Sequence, residues 1–316
     1  MHPTDEDDSK RRVLVTGATG LVGCRLLPRL SERFDAVRTL SRSGPILPSE
    51  PGPGSDSTVE ACRWDGVDPG SSALDGVDAV IHLAGEPIFG GLPTAARRGR
   101  MRASRIDSTR RLVDRMLERP SEDRPATLVC ASAVGIYGDR GEEWLDESAS
   151  LGTGFLADIC RDWESEAERA CDAGIRVVRM RIGVVLSSEG GALGLMKIPF
   201  KLGLGGRLGS GQQFLPWIQL GDLVRSILFC LEEPIEGPVN AVAPEAVRNI
   251  EFTRVLARTL GRPAFLPVPG FVLRALLGEI SGELLGSRRV APAKLEDSGF
   301  SFLHPELRLA LEAELG

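Results

Sequence analysis

Residues 13–23, VLVTGATGLVG, decide how this chain is read. The run RRVLVTG (11–17) is continuously apolar up to its end and reads as a strand. LVGCRLLPRLSERF (21–34) repeats Leu26, Leu27, Leu30 and Phe34 on one helical face. Between them Gly17, Gly20 and Gly23 fall in the pattern G-x-x-G-x-x-G. A strand that turns this sharply into a helix aims the free N–H groups of the helix at an anion, here a pyrophosphate. A Cβ at Gly17 or Gly20 would hold phosphates off, and Gly23 lets helix and strand pack closely. The pattern alone also fits a tight β–α turn without a ligand. Its place between the first strand and first helix of an alternating chain is what points to a dinucleotide.

Outward from that turn the alternation continues. AVRTLSR (36–42), VEACRWD (59–65), DAVIHLAG (78–85), ATLVCAS (126–132) and IRVVRMRIGVVL (175–186) read as strands. An Arg-rich helix over 94–118, a helix over 155–173 and DLVRSILFCLEE (222–233) separate or follow them; GPILPSEPGPGSDS (44–57) reads as a surface loop. Strands apolar throughout and separated by helices predict an α/β fold, a doubly wound parallel (Rossmann) sheet with ligands at the carboxyl ends of its strands. The expected organisation is a disordered polar tail (1–10), a dinucleotide-binding domain (11–245) with substrate-region insertions near 187–220, and a smaller, mostly helical C-terminal region (246–316).

The bulk numbers exclude several partners. A net charge of −6 gives no basic surface for nucleic acid or an anionic membrane. No apolar run approaches the roughly 20 residues of a bilayer span, and MHPTDEDDSKRR has neither a signal-peptide core nor transit-peptide composition. Cys24, Cys62, Cys130, Cys160, Cys171 and Cys230 show no C-x-x-C spacing, and His2, His82 and His304 lie far apart. The expectation is a cytoplasmic protein with reduced thiols, no metal site and a small-molecule substrate.

The second strand should end beside the adenosine ribose, where an NAD site offers an acid. Here it ends in Ser41 and Arg42. A guanidinium suits a 2′-phosphate, so NADP is the expected cofactor. Asp65, ending the third strand, either accepts from the adenine amine or caps its own loop. HLAGE (82–86) ends the fourth strand, and small Ala84 and Gly85 allow backbone to approach the cofactor.

With TGATGLVG, LSR, HLAGEPI, SRIDST, SAVGIYG, DWESEA, RIGVVL, LGSGQQFLPWI and the C-terminal LPVPGFVLRALLGE block in place, the chain resembles an extended short-chain dehydrogenase/reductase. Within that superfamily it is similar to an atypical, epimerase-like branch of unassigned substrate, related to sugar-nucleotide epimerases. The resemblance spans about residues 12 to 303. It implies cofactor contacts at Gly17, Thr19, Gly20, Leu21 and Val22, at Ser41 and Arg42, at Leu83 and Ala84, at Arg105, and at Val185 through RIGVVL. It also implies an Arg-Trp pair after HLAGE, where this chain reads FGGLPTAARRGR.

Standard members of that superfamily use Tyr as proton donor or acceptor, with Lys one helical turn on lowering its pKa. Tyr137 is the only tyrosine, and Gly141 stands four residues later; the lysines are Lys10, Lys197, Lys201 and Lys294. No Tyr-x-x-x-Lys exists. Tyr137 therefore reads as structural or substrate-facing, and Ser132, at a strand end, as the catalytic-site residue that binds the substrate oxygen. On the helix 155–173, Asp158 and Cys160 are the candidate replacement acids, with Asp158 also readable as helix-end electrostatics and Cys160 as core; Trp163 and Glu164 read as packing and solvated. GDRGEEWLDE (138–147) reads as a surface loop or lid. In the second half, Gln212, Gln213, Phe214 and Trp217, with Pro199, Phe200 and Arg207, are candidates to line the cleft or to pack. Asp222 reads as a helix cap. The expected function is an NADP(H)-binding oxidoreductase or epimerase; the alternative is a non-catalytic NADP(H) sensor.

Overall fold

The computed structural model describes residues 11–42, 57–88, 91 and 94–316; the tail 1–10 and almost all of the loop 44–57 lie outside them. The chain runs β1 (Arg12–Thr16), α1 (Leu21–Ser31), β2 (Ala36–Ser41), β3 (Thr58–Arg63), β4 (Ala79–His82), α2 (Ala95–Ala103), α3 (Ile106–Leu117) and β5 (Thr127–Ala133). Then come β6 (Trp144–Leu145), α4 (Phe155–Glu168), β7 (Arg176–Ile182), β8 (Val184–Leu186), α5 (Gly191–Lys201), β9 (Trp217–Gln219), α6 (Leu220–Glu232) and β10 (Gly237–Ala241). The C-terminal part is mostly helical: α7 (Asn249–Thr259), α8 (Gly270–Leu277), α9 (Ser281–Leu285), the short β11 (Arg289–Val290), α10 (Ala293–Asp297) and α11 (Leu307–Leu315).

Seven strands form one parallel sheet in the order β10-β7-β5-β4-β1-β2-β3. Alternate residues of β1 supply both faces. Val13 and Val15 pack with Leu26, Leu27 and Leu30 of α1 and with Leu223 and Ile227 of α6. Leu14 packs on the other face with Leu112 and Met116 of α3 and Trp163 of α4. A strand buried on both faces has no polar side to show, which is why these strands read as unbroken apolar runs. The strand order reverses between β1 and β4, so their carboxyl ends open a crevice there.

Three elements differ from expectation. The helix over 94–118 is two helices, interrupted at Ser104 and Arg105; Ser104 Oγ accepts from the Glu86 N–H at 2.9 Å, which fixes the break against the end of β4. The strand over 175–186 divides at Gly183, where an added Cβ would lie 2.9 Å from the Pro216 carbonyl oxygen; beyond it β8 leaves the main sheet and pairs with β9. Asp222 does not cap its helix. The cap of α6 is Gln219, whose Oε1 accepts from the Asp222 N–H, while the Asp222 carboxylate accepts from Leu303 and His304 amides and ties down the chain after α10.

Candidate functional site

At the end of β1 the chain turns with Gly17 at φ +73°, in the left-handed region. A Cβ there would sit 2.7 Å from the Leu83 carbonyl carbon, so this glycine brings the turn hard against the end of β4. A Cβ on Gly23 would meet Gly17 O and Ala18, which confirms its packing role, whereas Gly20 faces little but Gly17 O at 3.2 Å. Gly20 precedes α1 without a side-chain cap, leaving the first-turn amides of Leu21 and Val22 without intrahelical partners. The side chains of Leu21, Val22 and Val185 pack against the α1–α6 core.

This turn forms one wall of a cavity of about 260 Å³. Thr19, Gly20, Ser41, Arg42, Leu83, Ala84 and Gly85 line it together with Trp64, which the sequence reading did not select. Arg42 is exposed and pairs with no carboxylate among the described residues. Asp65 does not line the cavity: its Oδ1 accepts from the amides of Val67 and Asp68, the loop-capping arrangement. Beneath the floor His82 is fully buried. Its Nδ1 lies 2.7 Å from Thr16 Oγ1, which in turn accepts from the Ala84 N–H. Burial holds this imidazole down at about 4, hence neutral.

A second cavity of about 210 Å³ continues past Leu83, Gly85, Glu86 and Pro87. Ser132, Arg105, Cys160, Trp163 and Glu283 line it. Ser132 donates from Oγ to Glu164 Oε1 at 2.7 Å. Glu164 is buried, which corrects the solvated position expected of it; Arg181 Nε and Nη2 grip its two oxygens at 2.9 Å each. Burial works against the Arg181 charge, but the carboxylate more than offsets it and raises its pKa. Glu164 accepts on both oxygens, from Arg181 on each and from Ser132 on Oε1. The single Ser132 proton is committed to it, and what Ser132 offers the cavity is lone pairs.

Tyr137 belongs to this network rather than to a reaction centre. It is fully buried, accepts from Arg181 Nη1 at 2.9 Å and donates to Asn240 Oδ1 at 2.8 Å. Burial raises its pKa. On α4 two pairs face the second cavity one turn apart, Leu156 with Cys160 and Ile159 with Trp163. That is the i, i+4 spacing a Tyr–Lys pair would need, and neither pair can play its part. Burial pushes the Cys160 thiol up to about 12, keeping it neutral. Asp158 points elsewhere, half-exposed and paired with Arg161 at 2.9 Å.

Arg105 begins α3 beside Gly85, with its guanidinium 5.3 Å from the Trp163 ring centroid. A third hollow, about 260 Å³, lies outside Gly135, Leu156 and Glu283, between the start of α4 and the α8–α9 segment. The residues expected from 199–217 do not join these cavities. Trp217 is fully buried and donates to Glu245 O, Gln213 donates to Leu208 O and Leu284 O, and Arg207 donates to Gly209 O and Ser210 O. Phe200 lines a separate apolar hollow. The 138–147 loop is tied down: β6 within it pairs with β11, and Arg248 grips Glu142.

Comparison with known proteins agrees with this geometry. Residues 13–243 match the model of the NAD dependent epimerase/dehydratase family, and residues 268–314 match a domain of unknown function, DUF1731. The chain belongs to the NAD-dependent epimerase/dehydratase family. This family member is 39% identical over 315 residues to the Arabidopsis thaliana protein named epimerase family protein SDR39U1 homolog, chloroplastic, covering 98% of this chain and 88% of that one. It matches the crystal structure of human epimerase family protein SDR39U1 (isoform 2) with NADPH at a TM-score of 0.84 and 33% identity, over 96% of this chain and 99% of the human one. A nucleoside-diphosphate sugar epimerase from Corynebacterium glutamicum matches at a TM-score of 0.74 and 35% identity, over 98% of this chain and 59% of that chain. Among the described residues no helix is long and apolar enough to cross a membrane.

Proposed function

We propose that this family member is an NADP(H)-dependent oxidoreductase or epimerase acting on a small polar or nucleotide-linked hydroxyl compound, without a Tyr-x-x-x-Lys acid. One observation carries the reading: the Gly17–Gly20 turn opens onto a cavity that has Arg42 on its rim and runs on to Ser132. The cradle fits a dinucleotide, because a Cβ on Gly20 would meet only Gly17 O within 4 Å and α1 begins with uncapped amides. Bound there, NADP(H) supplies a hydride acceptor or donor at its nicotinamide ring.

The chain's own residues do the rest. Gly20, Leu21 and Val22 amides with Thr19 hold the diphosphate, and Ser41 with Arg42 holds the 2′-phosphate. The backbone of Leu83, Ala84 and Gly85 follows the cofactor inward. Ser132 accepts from a substrate hydroxyl and orients it, with Glu164 and Arg181 keeping its lone pairs turned inward. The NADPH in the human relative's structure supports the phosphorylated cofactor. Further parts of the reading are a boundary near residue 245 between cofactor domain and C-terminal region, and a cytoplasmic location, supported by six unpaired cysteines.

Calorimetric titration with NADPH and NADH tests the cofactor assignment. Arg42→Ala should cost NADPH about 10- to 100-fold in affinity, the value of a charge-assisted contact, and leave NADH nearly unchanged. An unaltered preference would remove the 2′-phosphate argument. The lack of any Tyr-x-x-x-Lys, with only Leu156, Ile159, Cys160 and Trp163 of α4 lining the second cavity, favours a second reading, a non-catalytic NADP(H) sensor. Absorbance at the reduced-nicotinamide band during incubation with pools of hydroxyl and carbonyl metabolites separates the two: tight binding with no turnover in any pool would select the sensor.

A further inference from the structure

We propose that the face formed by α5 and residues 262–268 docks on an anionic lipid surface. α5 is apolar on both sides. Leu193 and Phe200 pack into the core with Leu256 of α7 and Leu311 of α11. On the other side Leu195, Ile198 and, one residue past the helix, Leu202 repeat at helical spacing and stand in solvent. A helix apolar all round is ordinarily covered all round, and this one is covered on one side only.

The stripe does not stand alone. The Leu204 N–H donates back to Pro199 O at 2.8 Å, and the chain after α5 then runs beside 266–268: Leu266 N–H donates to Gly205 O at 3.1 Å and Val268 N–H to Arg207 O at 2.9 Å. Leu204, Phe265 and Leu266 thereby join the stripe, and all six side chains belong to residues 41–69% exposed. At about 200 Å² for each such residue fully exposed, they present on the order of 700 Å², against the roughly 300–600 Å² of a typical monomer's largest apolar patch. Side chains this exposed project from the surface and do not line a groove. The apolar hollow between α5 and α7 holds about 100 Å³, room for one side chain and not for a bound peptide.

Charge says what covers this face. Residues 190–221 contain three Lys or Arg and no Asp or Glu, and residues 252–278 contain four and again no acid. Lys201 and Arg262 flank the apolar side chains; both are exposed, and neither pairs with a carboxylate among the described residues. Elsewhere on the surface Arg102, Arg110 and Arg169 do find carboxylates. The whole-chain charge of −6 averages this basic face away, so the expectation that the protein offers nothing to an anionic membrane is revised. Projecting apolar side chains flanked by cations, with no acid among them, suit the interface of an anionic bilayer. The same cations disfavour a second copy of the chain, because a two-fold contact would bring like charges together. The contact is with the membrane surface, since no helix among the described residues is long and apolar enough to cross it.

The test sediments the purified full chain with vesicles of phosphatidylcholine alone and of phosphatidylcholine mixed with phosphatidylglycerol; light scattering on the vesicle-free protein gives its mass. Binding to the anionic vesicles should be at least about tenfold tighter, each basic side chain at the surface contributing about fivefold. It should weaken as salt rises from about 0.1 M to about 1 M and the screening length falls from about 10 Å to about 3 Å. Leu202→Ser/Phe265→Ser and Lys201→Gln/Arg262→Gln should each lower binding about tenfold or more, with the urea midpoint unchanged because all four residues are exposed. Equal binding to the two kinds of vesicle overturns the inference. So does a variant of either pair that binds like wild type, which would put the contact elsewhere. A dimer in solution that Leu202→Ser/Phe265→Ser dissociates would also overturn it, by giving this face to a second copy.

Discussion

The Glu164–Arg181 pair makes a prediction whose size can be worked out. Both residues are buried, at 4% exposure each, and the carboxylate is held on both oxygens at 2.9 Å. Glu164→Leu would leave a buried guanidinium facing hydrocarbon on one side and Tyr137 on the other. Breaking such a pair from one side costs about 3–5 kcal/mol, because the orphaned charge keeps its desolvation penalty. Removing both charges as Glu164→Leu/Arg181→Met removes that penalty and should cost far less than the two single changes added together. Urea unfolding of wild type, both singles and the double gives the cycle, each free energy being the midpoint multiplied by its slope. A Glu164→Leu cost under about 1 kcal/mol, or a double variant equal to the sum of the singles, would refute the buried-pair reasoning. Glu164→Gln probes the functional side of the same contact. Its amide oxygen can stay on Arg181 while its N–H turns to Ser132, which frees the serine proton for the cavity and reverses the polarity Ser132 shows a ligand.

Two further outcomes follow from the β1 turn and from the residue below it. Gly17→Ala combines the 1–2 kcal/mol or so of a left-handed L-residue with a Cβ 2.7 Å from the Leu83 backbone, so it should both lower the urea midpoint and abolish NADPH uptake by calorimetry; normal uptake would show that the turn does not form the cradle. His82 is held at about 4 when folded against 6.5 when unfolded, so between those pH values the unfolded chain binds the extra proton. Stability contributed by the neutral imidazole is present above pH 6.5 and lost as pH falls towards 4, by on the order of 3 kcal/mol, and His82→Gln should flatten that limb of the stability–pH curve.

The fold was legible because its signals are local. Strands buried on both faces leave uninterrupted apolar runs, and the Gly17–Gly23 pattern places the first crossover without help from the rest of the chain. The Ser104–Arg105 break and the division at Gly183 were not legible, because each is imposed by a distant neighbour, Glu86 in one case and Pro216 in the other. The site was legible in part for the same reason. Gly17, Gly20, Ser41, Arg42 and Ala84 stand at strand ends, where the topology alone collects them. Glu164 was misread because a carboxylate on a helix is ordinarily solvated. The signal that could have found it is Arg181, a charge inside the apolar run IRVVRMRI, which needs a buried counterpart. Glu283 comes from a segment with no periodicity linking it to β5 or α4, so only the folded chain brings it to the cavity wall.

The same inventory narrows the chemistry of the second cavity. In a Tyr–Lys enzyme one turn of helix supplies both a titrating acid and the positive charge that tunes it. Here those duties are separated. The positive charge comes from Arg105 at the start of α3, stacked on α4's Trp163 and not carried by α4 itself, and a guanidinium holds its proton throughout the working pH range. Cys160 is neutral at about 12, and the Ser132 proton is bound to Glu164. Among the described residues on this wall, the carboxylates of Glu86 and Glu283 are the remaining titratable groups. The cavity can therefore bind and stabilise negative charge without itself offering a tuned acid. Under the proposed function, a proton moved in this cavity passes through one of those two carboxylates or through water. This places the search for a replacement acid at the mouth between β4 and α9, not on the helix where the family's pattern would put it.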